Sequence, residues 1–217
     1  MLKNAQSVLD AAERDLAKVR ALYQGSLTAK EASGELQTTI KHVVEDQRSA
    51  LDYVATAINE KFGKPGERVY FPYGADPGKF KDFFDRNFPK LAAAQPAIFA
   101  AFERHQPYQA GHEWIAQLIA LTNENKHREL TPQTRTETVV KKHGGVSWKP
   151  VSVRFGGGVW INGVPVDPVT QEPAGTQTII YVDWLFRQPQ VSALATLEAV
   201  QTGIRPALED ICKSAGL

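Results

Sequence analysis

Cysteine is almost missing from this chain: Cys212 is the single one among 217 residues. An intrachain disulfide is therefore excluded, and so is a zinc site built on several thiolates. A charge excess of either sign is also missing, since 25 Lys and Arg face 24 Asp and Glu for a formal net charge of +1. Bulk electrostatics thus gives no argument for a nucleic-acid groove or an anionic membrane surface, and any basic patch must be local. Long hydrophobic runs are absent as well. No stretch approaches the roughly 20 apolar residues that cross a bilayer. Met1-Leu2-Lys3-Asn4 leads into a charged amphipathic run rather than an apolar signal segment. The expectation is a cytoplasmic protein with no membrane partner.

What is present is ordinary globular composition, 42% hydrophobic and 23% charged. A domain of this size hides roughly 70% of its unfolded surface. Helical periodicity dominates the first 130 residues. Leu9, Ala12, Leu16, Val19 and Tyr23 step by three and four, predicting a helix over 4–23 that ends near Gly25-Ser26. Leu36, Ile40, Val43, Gln47, Leu51, Val54, Ile58 and Phe62 predict a long second helix over 34–62, opened by Ser33 and stopped by Gly63 and Pro65. The two should pack as an antiparallel hairpin. A Gly- and Pro-rich structured loop over 64–78 follows, tucked down by Tyr70, Phe71 and Tyr73. Shorter helices are expected over 79–88, over 91–103 with a break or first turn at Pro96, and over 112–130.

The period then changes to two. Val151, Val153 and Phe155 alternate with polar residues, and so do Ile180, Val182, Trp184 and Phe186. Asn162-Gly163, flanked by apolar residues, is the best hairpin signal in the chain. Gly156-Gly157-Gly158 has neither the spacing nor the following helix of a phosphate loop and reads as a strand connection. Residues 131–149 look linker-like, though too short and mixed to mark a domain boundary. A last helix over 192–213 presents Leu194, Leu197, Val200, Ile204, Leu208 and Ile211. The fold class is mainly α with some β: an antiparallel helical bundle with a small antiparallel β-meander before the C-terminal helix. As one domain, it divides into a bundle over 1–130, an inserted meander over 146–187 and a closing helix over 191–214. Trp160 and Trp184 are expected to fill the helix–sheet interface.

Two polar clusters interrupt helices that otherwise look like core. Gln47-Arg48-Ser49-Ala50-Leu51-Asp52-Tyr53 puts Arg48 and Asp52 four apart on one face, where they can pair. Asn123-Glu124-Asn125-Lys126-His127-Arg128 ends the helix over 112–130, and its stripe brings Asn125 and Arg128 inward. Such groups need partners, which Gln47, Arg48 or Asp52 could supply. One reading is architectural: a buried polar network and a cationic helix end. The other is a site shared by the two helices.

The segments Arg48-Ser-Ala-Leu-Asp-Tyr53, Gln106-Pro-Tyr108 and Asn125-Lys-His-Arg128 resemble those of a group of uncharacterised bacterial proteins carrying Arg-Ser-Ala-Leu-Asp-His, Gln-Pro-Tyr and Lys-His-Arg. The likeness spans about residues 5–130 and implies no established activity. More distantly, the helical half resembles HEPN domains, all-α bundles that often bind or cleave RNA. Their motif is an Arg followed four to six residues later by a His, with cleavage that needs no metal. Arg48 fits the Arg position, but Tyr53 stands where the His belongs. A phenol with a pKa near 10 is a poor proton acceptor at neutral pH. The resemblance thus implies either that His127 supplies the missing group from a neighbouring helix, or that the chain binds without cutting. It implies RNA or a nucleotide as partner, no cofactor and a homodimer. Arg48 and His127 would then be the catalytic candidates, and Asp52, Tyr53, Asn125, Lys126 and Arg128 the binding ones.

A third alternative is a metal-binding helical-bundle enzyme. Glu124-x-x-His127 matches half of a di-iron constellation and His42-x-x-Glu45 is a reversed pair, but two Glu-x-x-His pairs are needed and only one is present. No residue is therefore assigned to a metal. Arg104-His105 ends a helix, with His105 expected as a cap or a surface residue. Ser49 lacks the strand–turn–helix surroundings of a nucleophile.

Overall fold

The computed structural model describes residues 2–27, 32–127, 133–143, 146–148, 160–161, 164–165, 177–186 and 190–217. Within these, the side chains of 124–127 and of most strand residues are left undescribed. The expected strand around Val151–Phe155 lies outside the described residues. The chain is mostly helical with a small antiparallel β component ahead of the C-terminal helix, the class that the periodicities predict. It divides into two compact units, Met1–Thr134 with Trp184–Leu217, and Arg135–Asp183.

The first unit is built on α1 (Lys3–Ser26) and α2 (Gly34–Phe62), which pack extensively on each other. The buried face of α1 is Ala5, Leu9, Ala12, Leu16, Val19, Tyr23 and Ser26, the predicted stripe extended by one step at each end. Ser33 caps α2 by accepting the Leu36 N–H at 3.1 Å, satisfying one of the donors that a helix start leaves open. Gly63 ends α2, and a Cβ there would displace the Asn59 side chain that holds the loop's start. Next come α3 (Pro77–Asn87), α4 (Leu91–Ala94) and α5 (Pro96–Arg104). Pro96 is the first residue of α5, where its missing N–H costs nothing.

Rings of the loop and of α3 and α5 make an aromatic core. Phe71 lies 5.3 Å from Phe102, and Phe84 lies 5.6 Å from Phe102 and 5.1 Å from Phe99. Such tilted and edge-on pairs add stabilisation beyond the area that they bury. α6 (Glu113–His127) packs on α2 and on α7 (Ala193–Ala215), and α7 also covers α1 and α5. Two polar ties fix α7 within this bundle. Gln47, wholly buried, donates through Nε2 to Gln201 Oε1 at 3.1 Å and to Leu197 O at 3.4 Å, and Gln201 donates to Leu9 O. Trp184, just before α7, donates from its backbone N–H to the Tyr23 hydroxyl at 3.1 Å and from its indole to Ser26 Oγ at 2.8 Å. Its burial agrees with the core role expected for it, whereas the side chain of Trp160 lies outside the described residues.

Strand structure begins earlier than the alternation placed it. β1 (Gln133–His143) and β2 (Val146–Trp148) occupy the stretch that read as a linker. They pair antiparallel with Lys141 opposite Trp148, and the sheet order is β2-β1-β5, where β5 is Gln177–Phe186. β1 is rich in Thr and Val, favourable for a strand, but its Lys, Arg and Glu give no clean apolar face to register. β3 (Trp160–Ile161) and β4 (Val164–Pro165) form a separate antiparallel pair, and the Ile161–Val164 register leaves the two-residue connection that Asn162-Gly163 signals. Among the described residues no helix is long and apolar enough to cross a membrane.

Close approach of α7 to α6 makes Gly203 a sensitive point. A Cβ there would fall 2.4 Å from the Trp114 indole nitrogen. Gly203→Ala should lower stability by about 1–3 kcal/mol through overpacking, read as a lower urea midpoint with an unchanged m-value.

Candidate functional site

Arg48 and Asp52 meet as their spacing predicts. Arg48 Nη2 lies 3.1 Å from Asp52 Oδ1 and Nε donates to Oδ2 at 3.2 Å, a two-point contact between side chains only 13% and 22% exposed. Asp52 Oδ1 also accepts the backbone N–H of Phe71 at 2.9 Å, so one carboxylate joins α2 to the loop that follows it. That third bond explains why the pair sits on the inner part of the helix. Phe71 is fully buried and drags its peptide group out of water, where an unpaired N–H would be costly.

The Gln-Pro-Tyr segment meets the same loop. Gln106 is fully buried: its Oε1 accepts the Gly74 N–H at 3.0 Å, and its Nε2 donates to Pro72 O at 3.2 Å and to Phe102 O at 3.0 Å. Asn87 Oδ1 accepts the Tyr70 N–H at 3.4 Å, and Asn59 holds the loop's start through Lys64 and Glu67. Gly74 has no room for a side chain, because a Cβ would lie 2.1 Å from Phe80 N. Tyr108 follows Gln106, and its hydroxyl is pushed up to about 12, first by burial and then by the Glu103 carboxylate. It is a neutral phenol at any ordinary pH. Two segments that sequence reading treated as separate motifs thus converge on one loop.

Other candidates fall elsewhere. Tyr53 is 43% exposed, and five residues along an α-helix place it about 140° round the axis from Arg48, so the two do not share a face. Gln47, offered as a partner for the end of α6, is turned instead to Gln201 and Leu197 on α7. Asn125, Lys126 and His127 fall in the last turn of α6 with side chains outside the described residues, as Arg128 is altogether. Tyr70, expected to tuck the loop down, is 38% exposed; Phe71 is the residue that goes inside. His42 and Glu45 are both exposed, and among the described residues no group of three His, Cys, Asp or Glu side chains could hold a metal ion.

A second polar cluster escaped sequence reading because its members are about 105 residues apart. His105 is the C-cap residue of α5, one of the two roles expected for it, but its side chain is largely buried. Its Nε2 lies 2.8 Å from Asp210 Oδ2, and since a carboxylate can only accept, that nitrogen carries the proton. Arg104 grips the same carboxylate at 2.9 and 3.0 Å through Nη2. Burial would raise the Asp210 carboxyl, but the hydrogen bonds from His105 and Arg104 outweigh it and hold it below the usual range. The His112 ring stands edge-on to His105 at 4.9 Å, and burial, then the neighbouring His105, lower its pKa. The cluster clamps the end of α5 to α7.

With this geometry in hand, the chain matches no known protein-family model, no curated protein and no solved structure.

Two outcomes follow from these contacts. Gln106→Ala, which orphans the Gly74 N–H and the Pro72 carbonyl, should cost about 2–3 kcal/mol in urea unfolding. Because folded His112 holds its proton less tightly than the unfolded residue does, its contribution is complete above pH about 6.5 and is lost as pH falls through that value. The melting temperature should therefore drop on acidification from pH 7.5 to 5.5, and by less in His112→Asn.

Proposed function

We propose that this chain is a HEPN-like helical module that binds RNA or a nucleotide through a phosphate contact at Arg48, as a homodimer, without cleaving it. The observation that carries the reading is the state of the guanidinium. Nε and Nη2 are committed to Asp52, while Nη1 is buried with no acceptor among the described residues. A buried donor of a charged group left unpaired costs about 1–3 kcal/mol or more, a cost that a phosphate oxygen removes once the side chains covering Nη1 move aside to admit it. Asp52 holds the fork in place, a positioning role. Binding is favoured over cutting because Tyr53, in the position of the expected base, is a phenol on another face of the helix. Lys126, His127 and Arg128 at and just beyond the end of α6 are the further binding candidates, His127 being the group that cleavage would need.

One observation favours a second reading, a non-catalytic interaction module whose polar residues only hold the helices and loop in register. Asp52 and Gln106 are both saturated by internal partners. The two readings separate in one experiment. Fluorescence anisotropy with labelled single-stranded RNA should show saturable binding by the wild type, at least tenfold weaker in Arg48→Ala and also weaker in Arg48→Lys, which cannot reproduce the fork. The same RNA recovered from the mixture should be intact. RNA that the wild type does not bind, with Arg48→Ala melting at a lower temperature, would leave the architectural reading standing. RNA cut by wild type but not by His127→Ala would replace binding with catalysis.

A further inference from the structure

His112 sits where a positive charge is poorly received. Its ring stands edge-on to that of His105 at 4.9 Å. The His105 ring cannot retreat, because Asp210 of α7 holds its Nε2 and Arg104 grips the same carboxylate. His105 Nδ1 and His112 Nδ1 are both buried, and neither has a hydrogen-bond partner among the described residues. His112 also directly precedes α6, at the positive end of the helix dipole. Among the described residues the charges that bear on its imidazole are His105 at the end of α5 and Glu113 of α6, with Arg104 of α5 and Asp210 of α7 set behind His105 and none from α2. Only Glu113 favours a cation there, and it is exposed to water.

The connection from α5 to α6 passes a movement of His112 on to the loop after α2. It is a run of short turns: Gln109 N–H donates to Gln106 O at 2.9 Å, and His112 N–H donates to Gln109 O at 3.2 Å. Gln106 in turn holds Gly74 and Pro72. Gly111, beside His112, has φ +83° and nothing within 4 Å of the place a Cβ would take, which leaves this backbone room to turn.

We infer that His112 is an acid-operated latch: on acidification its ring swings from His105 into water, the connection between α5 and α6 opens, and the hold of Gln106 on the loop after α2 loosens. Linkage drives the opening. A ring in water takes a proton near the ordinary value of about 6.5, whereas burial and then His105 lower the pKa of the closed ring. Falling pH therefore favours the open form, and rising pH restores the closed one. The Asp210 carboxyl is held below its usual range, so it stays ionised through this change and α5 remains clamped to α7. The movement is local, and it does not depend on what Arg48 binds.

Amide hydrogen exchange of the full chain at pH 7.5 and 5.5 tests the latch, expressed as protection factors so that the intrinsic pH dependence of exchange cancels. Ile115 N–H, bonded to His112 O at 3.1 Å, and Gly74 N–H, bonded to Gln106, are the reporters, and Leu16 in α1 is the control. At pH 5.5 wild type should lose protection at Ile115 and Gly74 together and keep it at Leu16. The His112 ring should titrate in NMR with a midpoint below 6.5. His112→Asn and His112→Gln carry no titrating ring, and whichever is folded at pH 7.5 should show the same protection at both pH values. Equal protection at both pH values in wild type, or a loss at pH 5.5 that persists in the variants, overturns the latch. Loss of protection at Leu16 as well means that acid unfolds the whole bundle, and overturns it too.

Discussion

A peptide group taken out of water must find a partner, and the arrangement of the polar residues in this bundle follows from that constraint at one place, the loop after α2. Phe71 is drawn into an aromatic core with Phe102 and Phe84, and the loop backbone goes in with it. Being irregular, the loop satisfies few of its own donors and acceptors, so side chains from the surrounding segments do the rest. Asp52 reaches from α2, Asn87 from the end of α3 and Gln106 from just beyond α5. Arg48 then neutralises Asp52. Each polar group accounts for the next.

The same arrangement fixes the residues around the loop. Because Asp52 is held from both sides, the Arg48 fork is fixed at low conformational cost, with Nη1 buried and unpaired among the described residues. Phe71 is fully buried, while its neighbour Tyr70 is 38% exposed.

The helical half was legible because its information is local. Stripes at three- and four-residue spacing on α1 and α2 became buried faces, and Ser33, Gly63 and Pro96 marked the boundaries that they mark in the fold. The pairing of Arg48 with Asp52 followed from one helical turn. The loop anchors did not, since Asp52 bonds a residue 19 positions away and Gln106 one 32 positions away, and no periodicity encodes such distances. The clamp of Asp210 on Arg104 and His105 was hidden for the same reason. β1 went unread because its Thr, Lys and Glu residues do not alternate with apolar ones, while Gln47 looked free for α6 although α7 takes it.

The central claim is that polar side chains of α2, of α3 and of the segment just after α5 pin the loop after α2 to the bundle. Amide hydrogen exchange at Phe71 and Gly74, compared between wild type and Asp52→Ala, probes it most directly. Both amides should be protected like core helix positions in the wild type, and Phe71 should lose protection selectively in the variant while the interior of α1 keeps its own. A Phe71 amide that exchanges in the wild type as fast as an exposed loop would contradict the account.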